Sequence, residues 1–260
     1  MKIAVLIKQV PDTYGDRKMG QGSGTVDRAA SDPVIDEINE RAVEAALQIK
    51  EKDGGSKVTV ITMGPPRAAE ALRKALAMGA DSAVHISDDG LAGSDSLQTS
   101  SVLAAMLRDR DFGLIVAGNE STDGRTAAVP AMLAERLGVA QVTYLRSLTV
   151  SGGIVSGERV TEDGYMEVNA PLPAVVSVTE QVAEPRFPNF RGIMAAKKKP
   201  FETLTLSDLK LPAGETGAEN SWSKVREVRT RPERAAGTIV VDDGTAGSQI
   251  ADFLAKAKLI

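Results

Sequence analysis

The sequence predicts an α/β fold: an open, mostly parallel, doubly wound sheet, then a small antiparallel meander and a C-terminal arm. Three observations carry this. Short apolar, β-branched runs recur through the first half of the chain. Amphipathic stretches of helical spacing lie between them. After residue 140 the pattern changes to alternating segments punctuated by glycine.

Residues 3–7, Ile-Ala-Val-Leu-Ile, are uninterrupted apolar, the mark of a strand covered on both faces. Residues 36–50 place Ile38, Ala42, Ala45 and Ile49 on one helical stripe. Glu37, Glu40, Arg41, Glu44 and Lys50 fill the rest of that helix. A second strand at 58–62 leads into a helix at 66–78, with Ala69, Leu72, Ala75 and Leu76 facing inward. Gly79 stands where that helix should stop. A strand at 83–86, a helix at 97–107, a strand at 114–117 and a helix at 127–137 complete the series, the last ending at Gly138. Such alternation builds βαβ units. In these sheets ligands bind at the carboxyl ends of the strands, so the loops after Ile7, Thr62 and Ala117 form the candidate edge.

Segments 142–150 and 153–160, joined by Ser151-Gly152, read as antiparallel strands, with 166–168 following beyond Gly164. Residues 174–178 read as another buried strand. Residues 184–222 lack periodicity and are rich in Pro, Lys, Glu and Ser, as functional segments and arms often are. A short strand at 238–241 and a helix at 247–258 close the chain.

The chain has 260 residues, enough for one large α/β domain with an appended arm. Aromatic residues are 3% of it, so the core must be aliphatic. A net charge of −4 argues against wholesale nucleic-acid binding, which normally needs a basic face. The absence of cysteine excludes disulfides, thiolate metal sites, iron–sulfur clusters and cysteine nucleophiles. No apolar run approaches the ~20 residues that span a bilayer. The apolar start is too short, with the wrong flanks, for a signal peptide, and a cytoplasmic chain is expected.

Gly118-Asn119-Glu120-Ser121-Thr122-Asp123-Gly124-Arg125-Thr126 follows a strand and opens a helix. It can offer free amides to a phosphate, with Arg125 as a charged donor, or be an ordinary capped turn. Met63-Gly64-Pro65-Pro66 also joins strand to helix and is explained by turn chemistry alone. Asp36 and Glu37 read as a helix cap rather than metal ligands. His85, the only histidine, lies within a predicted strand and has no evident catalytic partner. Phe187 and Phe190, two of five phenylalanines, sit in a proline-broken segment ahead of Lys197-Lys198-Lys199. They are either anchors into the domain body, which their apolar bulk favours, or an exposed docking tip.

Glu184-Pro185-Arg186-Phe187, followed by Ile193-Met194-Ala195-Ala196-Lys197-Lys198-Lys199, resembles the N-E-P-R-Y…I-M-K-A-K-K-K signature of electron-transfer flavoprotein β subunits. Four further segments agree in order. Residues 2–10 resemble the family's opening strand, and 36–51 its D-E-x-A-V-E-E-A helix. Ala75-Leu76-Ala77-Met78-Gly79-Ala80-Asp81 resembles A-L-A-M-G-A-D, and residues 232–237 resemble P-x-R-x-A-G.

The resemblance implies a fold of the adenine-nucleotide-binding type and a chain with no catalytic residues of its own. It implies AMP in this subunit and FAD mainly on an α-subunit partner. Electrons would come from acyl-CoA and related dehydrogenases and pass to a membrane quinone reductase. Position by position, the nucleotide site would be Leu6, Asp36, Glu37, Ile38, Asn39, Met63, the loop from Gly118 to Thr126, and Ala127, Ala128 and Val129. Partner recognition would fall to Arg186, Phe187, Phe190, Ile193, Met194, Lys197, Lys198 and Lys199, which reverses the anchoring reading of Phe190. The expected division is a nucleotide-binding domain at 1–183, a recognition loop at 184–199 and an arm at 200–260.

There are departures. Asp36 and Glu37 stand where many relatives have asparagine and proline, which puts acids near a phosphate. Arg125 and Ala128 stand where many have an acid and glutamine, and Arg125 would offset those acids. Gly124 resembles the loop of electron-bifurcating members, which hold a second FAD in this subunit. An ATP-using α/β enzyme of the ligase class is the rival, but residues 8–13 lack its S-G-G-x-D-S loop. A small nucleotide-binding stress protein is a third reading, and it leaves the long arm unexplained.

Overall fold

The computed structural model describes residues 1–15, 18–20, 24–229, 232 and 237–260. These form two units, residues 1–226 and 227–260. The first unit opens with β1 (Lys2–Leu6), the short strands β2 (Gln9–Pro11) and β3 (Pro33–Ile35), and α1 (Glu37–Asp53). It continues through β4 (Lys57–Met63), α2 (Ala69–Met78), β5 (Ser82–Ile86), α3 (Ser96–Leu107), β6 (Leu114–Gly118) and α4 (Val129–Leu137). Then come β7 (Ala140–Leu145), β8 (Thr149–Ser151), β9 (Ile154–Thr161), β10 (Gly164–Pro171), β11 (Ala174–Val178), α5 (Phe190–Ala196) and β12 (Phe201–Leu204).

The sheet runs in the order β10-β9-β7-β11-β6-β1-β4-β5-β12, with β8 paired to β9. The stretch from β7 to β12 is parallel throughout. Alternation along the strands sends successive residues to opposite faces. Ile3, Val5, Val58, Val60 and Val116 pack with Val43 and Leu47 of α1 and Leu72 and Leu76 of α2. Ala4, Leu6, Ile61, Val84 and Ile115 pack with Val102 and Leu103 of α3 and Leu133 of α4. Each fully buried leucine stabilises by roughly 1.5–3 kcal/mol. Truncating one, as in Leu72→Ala, costs about 2–5 kcal/mol.

The helix limits follow from local chemistry. Asp36 caps α1 by accepting from the Ile38 amide, and Glu37 and Glu40 complement the dipole there. Gly54 ends α1 with φ +64°, and Gly138 ends α4 with φ +65°, conformations that side chains disfavour.

Several expectations are corrected. The segment 142–150 is two strands, not one, and its first half is a parallel member of the main sheet. The chain bends at Tyr144, with φ +65° and a register slip between Val176 and Val178, and leaves the sheet after Leu145. It crosses over Gly157, where an added Cβ would lie 2.1 Å from the Ser147 carbonyl oxygen. The meander is therefore β8, β9 and β10, with Gly152 and Gly153 at positive φ in the first hairpin. The aperiodic stretch 184–222 contains α5 and β12, and β12 extends the sheet by pairing with β5. Residues 200–226 fall within the first unit.

In the second unit, α6 (Ala246–Lys256) forms as expected. Residues 238–241 do not form the expected strand, since among the described residues they find no strand to pair with. Of the motif at 232–237, residues 233–236 lie outside the described residues.

Candidate functional site

The carboxyl ends of β1, β4 and β6 meet the start of α1 at one edge of the sheet. Leu6 is buried there, and Met63 is half-buried. Asp36 is fully buried. Its Oδ2 accepts from the Thr122 amide (2.7 Å) and the Thr122 hydroxyl (2.9 Å), and its Oδ1 from the Ile38 amide (3.0 Å). Its charge is spent inside the protein, so it need not oppose a phosphate. Glu37 is exposed and Ile38 buried. Asn39 is also buried, and its Oδ1 accepts from the Lys8 amide at 2.7 Å, tying β1 to α1. Gly118 is required by this arrangement, because an added Cβ would lie 2.5 Å from Asn39 Nδ2 and 3.0 Å from Ile38 Cγ2.

The loop beyond Gly118 is fastened by charges that motif reading missed. The Asp123 carboxylate is almost wholly enclosed, with Lys8 Nζ at 2.8 Å and Arg28 Nη2 at 2.5 Å. Burial alone would raise its pKa. Lys8, Arg28 and Ser121 outweigh that and hold it well below the usual carboxylate range. Lys8 also donates to Ser121 Oγ at 3.2 Å. Lys8, within the opening segment 2–10, and Arg28 are remote in sequence from residues 118–126, so only the fold brings them to Asp123.

Past Asp123 the loop changes character. Arg125 and Ala127 adopt positive φ, +49° and +56°, and Ala128 returns to the right-handed region. Alternation of this kind turns successive amides to one side and makes an anion-binding concavity. The amides of Thr126, Ala127, Ala128 and Val129 make no hydrogen bond among the described residues, and α4 has no side-chain cap. The Arg125 side chain is exposed, with Glu120 Oε1 3.4 Å from its Nη1. Asn119 Oδ1 is buried with no partner among the described residues, a state that costs free energy unless a ligand or water donor meets it. Free amides, the positive end of a helix and Arg125 together have the chemistry of an anion receptor. They fit a nucleotide phosphate.

The segment after β11 lies elsewhere on the first unit. Phe187 is 95% exposed and Phe190 78%, so neither anchors into the domain body, contrary to what apolar bulk alone favours. Ile193 and Met194 are also exposed, as are Lys197 and Lys198. Arg186 and Lys199 behave differently. Arg186 forks onto Glu44 and Glu51 of α1, and Lys199 Nζ donates to the Leu76 carbonyl (2.8 Å) at the end of α2. Burial, with Lys50 nearby, lowers the pKa of Lys199.

His85 lies buried in β5, with Nε2 3.0 Å from the Gly64 carbonyl oxygen. Burial lowers its pKa and keeps the ring neutral in a structural role. Among the described residues no three His, Asp or Glu side chains cluster to hold a metal, and no helix is long and apolar enough to cross a membrane.

Residues 23–209 match the electron transfer flavoprotein domain. The chain is 53% identical over 263 residues to the electron transfer flavoprotein subunit beta of Mycobacterium leprae, covering 99% of each chain. It is 35% identical to the subunit of the same name from Megasphaera elsdenii, covering all of both. It is 34% identical to the caffeyl-CoA reductase-Etf complex subunit CarD of Acetobacterium woodii, covering 98% of this chain and 96% of that one. With the similarity running end to end, this chain belongs to the electron-transfer flavoprotein family, among its β subunits, which serve electron transport.

Proposed function

We propose that this chain holds AMP as a structural nucleotide and works in a heterodimer whose α subunit carries FAD. The observation that carries the reading is the row of unpartnered amides from Thr126 to Val129, above a loop fastened by Asp36 and Asp123, in a chain matched throughout by β subunits. The phosphate would take those amides and the Arg125 guanidinium. Leu6, Ile38 and Met63 would form the apolar wall, and Asn119 would present its spare acceptor.

FAD on the partner supplies the redox chemistry. The chain itself contributes position and recognition. Phe187 and Phe190, exposed beside Ile193 and Met194, are large apolar side chains of the kind that dominate docking energetics. Lys197 and Lys198 add a basic rim that steers an acidic partner. The partners that fit are acyl-CoA and related dehydrogenases as donors and a membrane quinone reductase as acceptor, with the heterodimer in the cytoplasm.

The test is identification of the nucleotides released on denaturing the heterodimer purified from its native cell. One FAD and one AMP per heterodimer supports the proposal. Two FAD would replace AMP with a second flavin, the reading that similarity to a caffeyl-CoA reductase-Etf complex subunit brings in. ATP alone, with no flavin and no second subunit, would sink both in favour of an ATP-using enzyme.

A further inference from the structure

Phe187 and Phe190 stand exposed on a segment that has no core of its own, and that segment is fastened at several points. Arg41 Nη1 donates to the Ala183 carbonyl (2.9 Å) and meets Glu184. Gly192 is seated so closely on α2 that an added Cβ would lie 2.3 Å from the Ala77 carbonyl oxygen. The strongest tether is Arg186. Its Nε and Nη2 donate to the two oxygens of Glu44 (2.7 and 3.0 Å), and its Nη1 and Nη2 to those of Glu51 (2.5 and 3.1 Å). Its main-chain amide points to Glu44 as well.

Glu44 is a carboxylate only 6% exposed on an amphipathic helix, and Gln48 is its only other donor among the described residues. Burying it is costly unless it is fully paired. The fold meets that cost for a contact that lies outside the core. Arg41, Glu44 and Glu51 lie at spacings of three and seven along α1, which puts them on one side of the helix. That side holds residues 183–186. The guanidinium, committed to two carboxylates, has little left to give a partner protein.

We propose that Arg186 is a positioning residue for dehydrogenase docking: clamped between Glu44 and Glu51, it presents Phe187 and Phe190 ready-ordered to the partner. The proposal rests on the docking reading of Phe190 given above. A segment ordered before encounter loses less freedom on binding, so the clamp acts on affinity and leaves electron transfer within the complex alone.

The experiment uses the flavin-loaded heterodimer as acceptor for an acyl-CoA dehydrogenase of the same cell, reduced by its acyl-CoA, with heterodimer concentration varied. Arg186→Lys keeps the charge but cannot fork. It should raise KM for the heterodimer about tenfold while kcat stays within about twofold. Flavin content and reduction by dithionite, which needs no docking, should not change. Phe190→Ala should also raise KM, and the double variant should be little worse than the worse single one, because both act through one contact. If Phe190→Ala raises KM and Arg186→Lys does not, the positioning role is overturned and docking stands. If Phe190→Ala leaves KM unchanged, the docking reading fails and the proposal with it. Should Arg186→Lys fold poorly, Glu51→Gln removes one arm at an exposed site and should raise KM about two- to threefold. An unchanged KM there overturns the proposal.

Discussion

Replacing Asp36 by alanine removes the joint between α1 and the 118–128 loop, and its cost can be worked from the contacts. The carboxylate is fully buried and accepts from the Ile38 amide, the Thr122 amide and the Thr122 hydroxyl. Loss of the helix cap costs about 1 kcal/mol. Loss of the two hydrogen bonds that Thr122 donates to this charged acceptor costs a further 1–3 kcal/mol or so. The sum is about 3 kcal/mol. Asp36→Asn keeps an oxygen for the cap but turns a donor or a weaker acceptor towards Thr122, so it should cost roughly half as much. The assay is urea unfolding of the heterodimer at fixed protein concentration, with nucleotide content measured on the same samples, since both subunit and ligand binding add to apparent stability. A loss below about 1 kcal/mol for Asp36→Ala would show that the Asp36–Thr122 link does not hold the loop. Tighter nucleotide retention in Asp36→Asn would show the carboxylate opposing the phosphate instead of being spent internally.

Three other outcomes follow from the same geometry. Asp123 has a folded-state pKa depressed below its ordinary 3.8. Its stabilisation is therefore complete above the unfolded value and is lost as pH falls below about 4; Asp123→Asn should flatten that acid limb, and an unchanged slope in urea unfolding from pH 6 to 3 would refute it. Gly192→Ala must lift α5 off the Ala77 carbonyl oxygen, so trypsin should cut after Lys197 and Lys198 several times faster; equal cutting rates would show the contact is slack. Phe187→Ala, at a position 95% exposed, should leave stability within about 0.5 kcal/mol by thermal melting, whereas a larger loss would mean that the ring packs on the fold.

The main sheet was legible because its strands are buried on both faces and read as continuous apolar runs, with glycine at the helix stops Gly79 and Gly138. The meander was less so. Nothing in Val-Thr-Tyr-Leu-Arg-Ser-Leu-Thr-Val marks the bend at Tyr144, which is set by the crossing over Gly157 thirteen residues on. β12 escaped notice because Phe-Glu-Thr-Leu is short and mostly exposed, and it becomes a strand only by pairing with the edge of β5. The loop at 118–126 announced itself by glycine and short polar residues after a strand. Its partners Lys8 and Arg28 did not, since no local pattern ties a distant cation to Asp123. The reading of 238–241 as a strand failed for the complementary reason: β propensity without a neighbour to pair with makes only extended chain.

Glu44 marks where a binary reading of α1 goes wrong. Helical periodicity assigns it to a solvated face, along with Arg41 and Glu51, and on average a helical carboxylate is solvated. Here three sides of one helix are in use. Val43 and Leu47 pack on the sheet, Asp36 holds the loop and Asn39 the end of β1 at the amino end, and Glu44 with Glu51 holds residues 183–186. Asn39 and Glu51 are twelve residues apart, about 18 Å along the axis. A nucleotide-type loop and an exposed aromatic segment can therefore share one rigid support without touching. The buried carboxylate is the sign of that sharing. A helix with only a core to satisfy would place an apolar residue at position 44, at no desolvation cost and with no loss of helix propensity.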